Sequence, residues 1–219
     1  MSTESDQAHV GQWLSRVAGP TLDDLGVDLR DWIRHKRAKN LEVVVAEAVR
    51  LSEGAEVHEI PTRTLTPLLN AASNEDDSEL QHKWAALLAN AATEATPVLP
   101  AFVDVLRQIT PREARMLDVM YRLASQAEYH PESAEMPKAL LRTNAHLEND
   151  DEYRLLAADL DRLQLIEERQ WRVVARRSEE RAEILEERAE QLVFRYSVVG
   201  LTPFGVNFIK ACLPPERST

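Results

Sequence analysis

The sequence predicts a mostly α-helical protein, in which an N-terminal helical bundle is followed by a winged-helix-like module with a small two-stranded β-hairpin. Aromatic residues make up only 5% of the 219 residues, so leucine, valine and alanine must fill the core. Such a composition favours helices over a β-sandwich or barrel. Apolar residues also recur at helical spacing along most of the chain. Two segments late in the chain, 170–174 and 192–199, have the residue pattern of strands.

The helical bundle is predicted to span residues 10–109, and short tails at 1–9 and 214–219 flank the folded chain. A long helix is expected from about residue 22 to residue 52, because leucines and valines recur there on one face. The polar stretch 34–40 interrupts this pattern and predicts a kink or a break.

Two shorter helices are predicted next in the bundle. Thr66–Pro67 is expected to start the first, with threonine as cap and proline as first helical residue. Ser73 or Asn74 is expected to start the second, whose first turn would hold the acidic residues 75–77. Trp84 lies on the apolar stripe of this second helix. A further short helix is predicted around residues 102–109.

The second predicted domain spans residues 110–213 and begins with the strongest helix start in the sequence. Thr110 and Glu113 form a capping box, with Pro111 at the first helical position. Three helices and then two strands follow, which is the order of a winged-helix domain. The connection between the strands contains a charged insertion at 176–190 that is too long for a simple wing. The predicted elements are helices at about 111–124, 138–142 and 150–163, strands at 170–174 and 192–199, and a last helix at 203–211.

Three stretches of the sequence resemble one known family. In the most distinctive, Glu75–Asp76 is followed by Trp84–Asn90, which reads WAALLAN. The others lie at 102–117 and at 160–166 with 201–205. Together they resemble the bacterial abortive-infection alpha family, a domain of unknown function linked to defence against phage. The resemblance implies a small helical cytoplasmic protein and identifies no catalytic residue.

Net charge and cysteine content narrow the classes of function. The formal net charge is −11, so phosphate would repel the chain as a whole and nucleic-acid binding would need a local basic patch. The single cysteine, Cys212, excludes an intrachain disulfide, and we expect a reducing cytoplasm. The polar N-terminus lacks the pattern of a signal peptide. No apolar run approaches the roughly 18–20 residues needed to span a bilayer.

Basic residues are the candidates for binding nucleic acid, an anionic membrane surface or an acidic partner. They are Arg30, Arg34, Lys36, Arg37 and Lys39 in the long helix, and Arg172, Arg176 and Arg177 at the hairpin. The alternative is a solvated face that pairs with the chain's own carboxylates. The third helix of the module has an excess of carboxylates, which suits a phosphate-lined groove poorly. We therefore predict an interaction or dimerisation module.

Glu75, Asp76, Trp84 and Asn90 are predicted to be structural. Carboxylates near a helix start compensate the helix dipole, and a magnesium site would need a second, distant set of carboxylates. Trp84 is expected in the core, where its indole N–H needs a buried acceptor. Asn90 and the region of Glu75 are the candidates for part of that polar network.

Motifs for common catalytic chemistry are missing from the sequence. No glycine occurs between Gly54 and Gly200, so neither a P-loop nor a dinucleotide fingerprint is present. The scattered histidines form no H-E-x-x-H motif, and there is no G-x-S-x-G nucleophile elbow. We therefore predict no metal, no cofactor and no enzymatic activity.

The predicted function is bacterial anti-phage defence through protein–protein interaction, with another protein or a second copy of the chain as partner. One alternative is a winged-helix transcriptional regulator that binds nucleic acid, which the net charge disfavours. The other is a membrane-acting effector that uses the basic amphipathic helix.

Overall fold

The described part of the chain contains eight helices and one small antiparallel sheet, which confirms the mostly α-helical class. The computed structural model describes residues 38–126, 135–174 and 193–215, together with Trp13 and Arg16. The elements are α1 (Ala38–Leu51), α2 (Thr62–Ala72), α3 (Ser78–Thr93), α4 (Pro100–Leu106), α5 (Pro111–Gln126), β1 (Glu135–Pro137), α6 (Lys138–Asn144), α7 (Asp150–Arg162), β2 (Ile166–Val174), β3 (Val193–Leu201) and α8 (Pro203–Ala211). The tail predicted at 1–9, the long helix before residue 38 and the insertion predicted at 176–190 lie outside the described residues.

Two compact units make up the described chain. Unit 1 contains the described residues up to Asp118 and those from Phe204 onward, and unit 2 contains the described residues from Val119 to Pro203. These bounds differ from the domains predicted at 10–109 and 110–213. The difference arises because the start of α5 and the whole of α8 after Pro203 pack with the helical bundle.

Helix packing and one aromatic cluster form the core of unit 1. The apolar stripe of α1 packs against α3, and alanines on α3 allow the two helices to approach closely. The rings of Phe204 and Phe208 lie 5.3 and 5.8 Å from the ring of Phe102, which attaches α8 to α4. Tilted and edge-on aromatic pairs of this kind are favourable beyond the area that they bury.

Helix α2 begins five residues earlier than the sequence predicted. It starts at Thr62, so Pro67 lies inside the helix rather than at its first position. The N–H of Thr64 donates to the carbonyl of Pro61 at 2.8 Å, which shows that the first turn forms upstream of the proline. Proline is most frequent at the first helical position, which is why the prediction was wrong here. Inside the helix it removes one backbone donor.

The capping box predicted at the start of α5 is confirmed. The N–H of Thr110 donates to Oε2 of Glu113 at 2.6 Å, and the N–H of Glu113 donates to Oγ1 of Thr110 at 3.3 Å. Each side chain thus satisfies a backbone donor that the helix itself leaves without an acceptor. Glu113 is buried, whereas Thr110 is exposed.

Replacing Thr110 with alanine is expected to lower the free energy of unfolding by about 1 kcal/mol, the usual effect of losing an N-cap side chain. Urea denaturation of the wild type and the variant measures this difference. Thr110→Ser keeps the hydroxyl and serves as the control. Equal losses in the alanine and serine variants would contradict the capping role.

Unit 2 contains a three-stranded sheet in the order β1-β3-β2, with antiparallel neighbours. The long pair β2–β3 runs in register from Ile166 opposite Leu201 to Val174 opposite Val193. The two strands predicted for the hairpin are confirmed as the antiparallel pair β2–β3, and the sequence analysis missed the third, short strand β1. That strand has only three residues, too few to show an alternating pattern, and it ends in Pro137 at an edge of the sheet.

Candidate functional site

The acidic segment Glu75–Asp77 lies ahead of α3. The prediction that it forms the first turn of this helix was therefore wrong. Asp77 is the N-cap of the helix, and its Oδ1 accepts two backbone N–H groups of the first turn at 2.9 and 3.1 Å. Oε1 of Glu75 accepts the N–H of Asp77 at 3.0 Å, and Oδ1 of Asp76 accepts the side-chain amide of Asn40 at 2.7 Å. The three carboxylates therefore accept hydrogen bonds from the first turn of α3, from the loop before it and from α1.

Metal-binding geometry is not found around these carboxylates. Within the described ranges, no group of three or more histidine, cysteine, aspartate or glutamate side chains is arranged to hold a metal ion.

Trp84 and Asn90 both lie in the core of unit 1, as the sequence predicted for Trp84. The side-chain amide of Asn90 lies within hydrogen-bond distance of three carbonyls, those of Ala86 (3.0 Å), Ala211 (3.0 Å) and Leu213 (2.8 Å). An amide nitrogen has only two hydrogens, so the three carbonyls share them. Asn90 thus joins α3 to the C-terminal end of α8.

The polar network expected around Trp84 is not formed. Among the described residues, neither Nε1 of Trp84 nor Oδ1 of Asn90 has a hydrogen-bond partner. The prediction that Asn90 or the region of Glu75 supplies the indole acceptor was therefore wrong. The amide of Asn90 is turned instead toward the carbonyls at the end of α8.

A partly buried ion pair links α3 to α5 beside the one cysteine. Nζ of Lys83 lies 2.7 and 2.9 Å from the two carboxylate oxygens of Asp118. The pair and Cys212 line a narrow cleft that has no room for a water molecule. Burial raises the pKa of the Cys212 thiol to about 12, with a smaller opposing effect of Lys83. Because the thiolate is the reactive form, this cysteine is unsuited to nucleophilic chemistry near neutral pH.

Three side chains of unit 2 form a polar cluster that sequence reasoning missed. The hydroxyl of Tyr153 donates to Oε1 of Glu168 at 2.7 Å, and Nζ of Lys138 donates to Oε2 at 2.7 Å. The same ammonium lies 5.2 Å from the centre of the Tyr153 ring, within range of a cation–π contact. The cluster ties α6 and α7 to β2. No local motif marks it, because its members come from three different elements.

The carboxyl group of Glu168 makes this cluster sensitive to acid. Partial burial alone would raise its pKa, but the hydrogen bonds from Lys138 and Tyr153 hold it below the ordinary value of 4.5. A carboxylate whose pKa is lower in the folded than in the unfolded chain stabilises the fold above the unfolded pKa. That stabilisation is lost as the pH falls below 4.5 through the lower folded pKa.

Glu168→Gln is therefore expected to be less stable than the wild type at neutral pH, with the difference shrinking below about pH 4.5 as the wild-type carboxylate is protonated. Urea unfolding of both proteins between about pH 3 and pH 7 measures this. Glu167→Gln, at the neighbouring position in β2, is the control. A difference between wild type and Glu168→Gln that does not change with pH would contradict the prediction.

Helix α7 presents a charged outer face with an exposed leucine near its middle. Tyr153, Leu156 and Leu160 are buried on the opposite side, whereas Leu155 is 72% exposed. The exposed residues of the outer face are Asp151, Arg154, Leu155, Ala158, Asp161 and Arg162. The whole helix contains five carboxylates and two arginines, so its net charge is negative.

The basic candidate residues are mostly outside the described part of the chain. Lys39 is exposed on α1. Arg172 lies in β2, where its backbone pairs with that of Arg195. The candidates outside the described residues are Arg30, Arg34, Lys36, Arg37, Arg176 and Arg177. A joint basic surface therefore stays a prediction.

A comparison with known protein families identifies the family of this chain. The model of the abortive infection alpha family matches residues 34–212. The chain belongs to this family. No curated protein and no solved structure matched it.

The family match covers every helix and strand described in this abortive infection alpha protein. The three stretches that carried the sequence resemblance lie in α2 and α3, in α4 and α5, and between the end of α7 and the start of α8. Trp84 and Asn90 are buried in the core of unit 1, whereas the outer face of α7 is exposed among the described residues. None of the helices in the described ranges has the length and apolarity required to cross a membrane.

Proposed function

We propose that this abortive infection alpha protein acts in bacterial defence against phage by binding another protein, in the cytoplasm and without a catalytic role of its own. Family membership supports the defence context. The outer face of α7 supports the mode of action, because it combines an exposed leucine with charges of both signs. Transient protein–protein interfaces commonly combine apolar and charged residues in this way.

Unit 2 is, in this proposal, a winged-helix-like module. The end of α5, β1, α6, α7, β2 and β3 follow one another in the order of a winged helix, and the sheet order is β1-β3-β2. In DNA-binding relatives of the helix-turn-helix type, the second helix of the motif enters the major groove. Here that helix is α7, whose five carboxylates oppose two arginines. Phosphate would repel it, which favours a protein as its partner.

Phage plaque counts test the defence role. Bacteria that express the chain from an inducible promoter should show fewer plaques than bacteria with the empty vector, for at least one phage in a broad panel. A variant with Trp84→Ala, which is expected to destabilise the core, provides the destabilised control. Equal plaque counts across the whole panel, with the protein expressed and folded, would contradict the defence role.

Binding to duplex and single-stranded nucleic acid over a salt series tests the alternative function. Fluorescence anisotropy should show weak binding with little dependence on salt, because few phosphates are contacted. Tight binding that weakens steeply with added salt would favour the nucleic-acid alternative. Flotation with anionic liposomes tests the membrane alternative in the same way.

A further inference from the structure

We propose that the outer face of α7 is a contact between two copies of this chain, with their α7 helices antiparallel about a two-fold axis. This inference rests on the proposed function, since it names a second copy as a protein partner of unit 2. The observation behind it is a pattern of charge that complements itself when the helix is reversed.

The pattern lies along one exposed stripe of α7 at spacings i, i+4, i+7 and i+11. Its members are Asp151, Leu155, Ala158 and Arg162. At 1.5 Å per residue the stripe is about 16 Å long, with an acid at one end, a base at the other and apolar residues between. A second copy, reversed about the midpoint between Leu155 and Ala158, brings its Arg162 level with Asp151. Its Ala158 is then level with Leu155.

One edge of the stripe adds a second charge pair. Arg154 and Asp161 lie on the same side of the stripe and both are exposed. Reversal about the same midpoint brings Arg154 within about two residues, or 3 Å, of the level of Asp161 in the second copy.

The opposite edge of the stripe is engaged within the chain. Oε2 of Glu152 accepts the backbone N–H of Glu148 at 2.7 Å, and Oδ1 of Asp159 accepts Nε of Arg162 at 2.8 Å. Both carboxylates on this edge therefore have a hydrogen-bond donor within their own chain.

Existing ion pairs on this face do not prevent the contact. Arg154 lies 3.4 Å from Asp151, and Arg162 lies 2.8 Å from Asp159, each one turn apart on the same helix. Pairs between exposed side chains are weak, because water and salt screen them. An arginine can therefore approach the second copy while staying close to its own aspartate.

A second copy fits this face better than a partner of a single charge. A basic or acidic ligand would match one end of the stripe and be repelled at the other. In a two-fold contact each pair occurs twice, so Asp151–Arg162 forms at both ends. A single helix of 13 residues buries less than the roughly 1,200 Å² of a stable complex. We therefore expect weak self-association that depends on concentration.

Two charge-reversal variants with opposite designs test the contact on the full chain. In a dimer of the Asp151→Arg variant, arginine meets arginine at both ends of the contact. In a dimer of the Arg162→Asp variant, aspartate meets aspartate at both ends. Mixed together, the two variants restore both pairs, since Arg meets Asp at each end. Both residues are exposed, and circular dichroism verifies folding. Asp104→Arg is the control, because Asp104 is an exposed member of a similar pair with Arg107 in unit 1.

Sedimentation velocity from about 1 to 500 µM, the range of weak complexes, measures association. We expect the wild type and Asp104→Arg to dimerise alike, each α7 variant alone to bind itself about tenfold more weakly, and the equimolar mixture to return close to the wild type. A wild type that stays monomeric would overturn the proposal.

Self-association that neither α7 variant weakens, or that the mixture does not restore, would also overturn it. Leu155→Asp provides a further variant at the centre of the stripe, which should abolish association in every mixture. These measurements use no phage, so failure of the contact is distinguishable from failure of the defence role, which the plaque counts decide.

Discussion

Replacing Trp84 with alanine is expected to lower the free energy of unfolding by about 3–5 kcal/mol, the usual cost of removing a large buried aromatic side chain. Trp84 is 1% exposed and lies on the face of α3 that fills the core of unit 1. Alanine would leave a cavity that the surrounding helices can close only in part. Urea or thermal unfolding measures the loss.

The comparison with Trp84→Phe separates packing from hydrogen bonding. Nε1 of Trp84 has no hydrogen-bond partner among the described residues, so phenylalanine removes a buried polar atom and no hydrogen bond. We therefore expect Trp84→Phe to cost only about 1–2 kcal/mol, from the smaller ring volume. Leu155→Ala, at an exposed position, should change stability by less than about 0.5 kcal/mol. If phenylalanine were as damaging as alanine, the packing argument would be wrong.

The second large effect is expected at Asn90, whose amide holds the end of α8. Asn90→Ala leaves the carbonyls of Ala211 and Leu213 without this donor in a buried setting, at a cost of about 2–3 kcal/mol. Asn90→Asp is expected to be worse, about 3–5 kcal/mol, because a buried carboxylate would face carbonyl oxygens with no donor between them.

Asn144→Ala is the matched control for these variants. The amide of Asn144 donates to the carbonyl four residues earlier, that of Leu140, as the amide of Asn90 does to Ala86. The hydrogen bond of Asn144 is exposed, however, and this amide has no long-range acceptor among the hydrogen bonds of the described residues. Its removal should cost less than about 0.5 kcal/mol. Similar losses at Asn90 and Asn144 would mean that the contact with α8 contributes little. Circular dichroism during urea unfolding provides the stabilities.

Features with a local cause were predictable from the sequence. The capping box at Thr110 and Glu113 depends on side chains three residues apart, and both hydrogen bonds formed as expected. The predicted start of α2 at Pro67 was wrong, although it also used a local rule. The preference of proline for the first helical position is statistical, and here the residues before Pro67 already form a helical turn. The prediction that residues 75–77 lie in the first turn of α3 was also wrong, because a helix can begin after an acidic run as well as within it.

Features with a distant cause were not predictable. Asn90 reaches a carbonyl that lies 121 residues later in the chain, and no spacing rule relates two such positions. The short strand β1 becomes a strand through its pairing with β3 and not through its own three residues. The cluster of Lys138, Tyr153 and Glu168 likewise exists only once two helices rest on the sheet.

The contact between Asn90 and the end of α8 also sets an order of events during synthesis. The ribosome makes the residues of unit 2 between the two parts of unit 1, so α8 emerges only after unit 2. Domains generally fold as units while the chain emerges. Asn90 can therefore contact the end of α8 only after Leu213 has been translated. A chain that ends within unit 2 would lack α8, so the side of α3 that carries Asn90 would be exposed to chaperones and proteases.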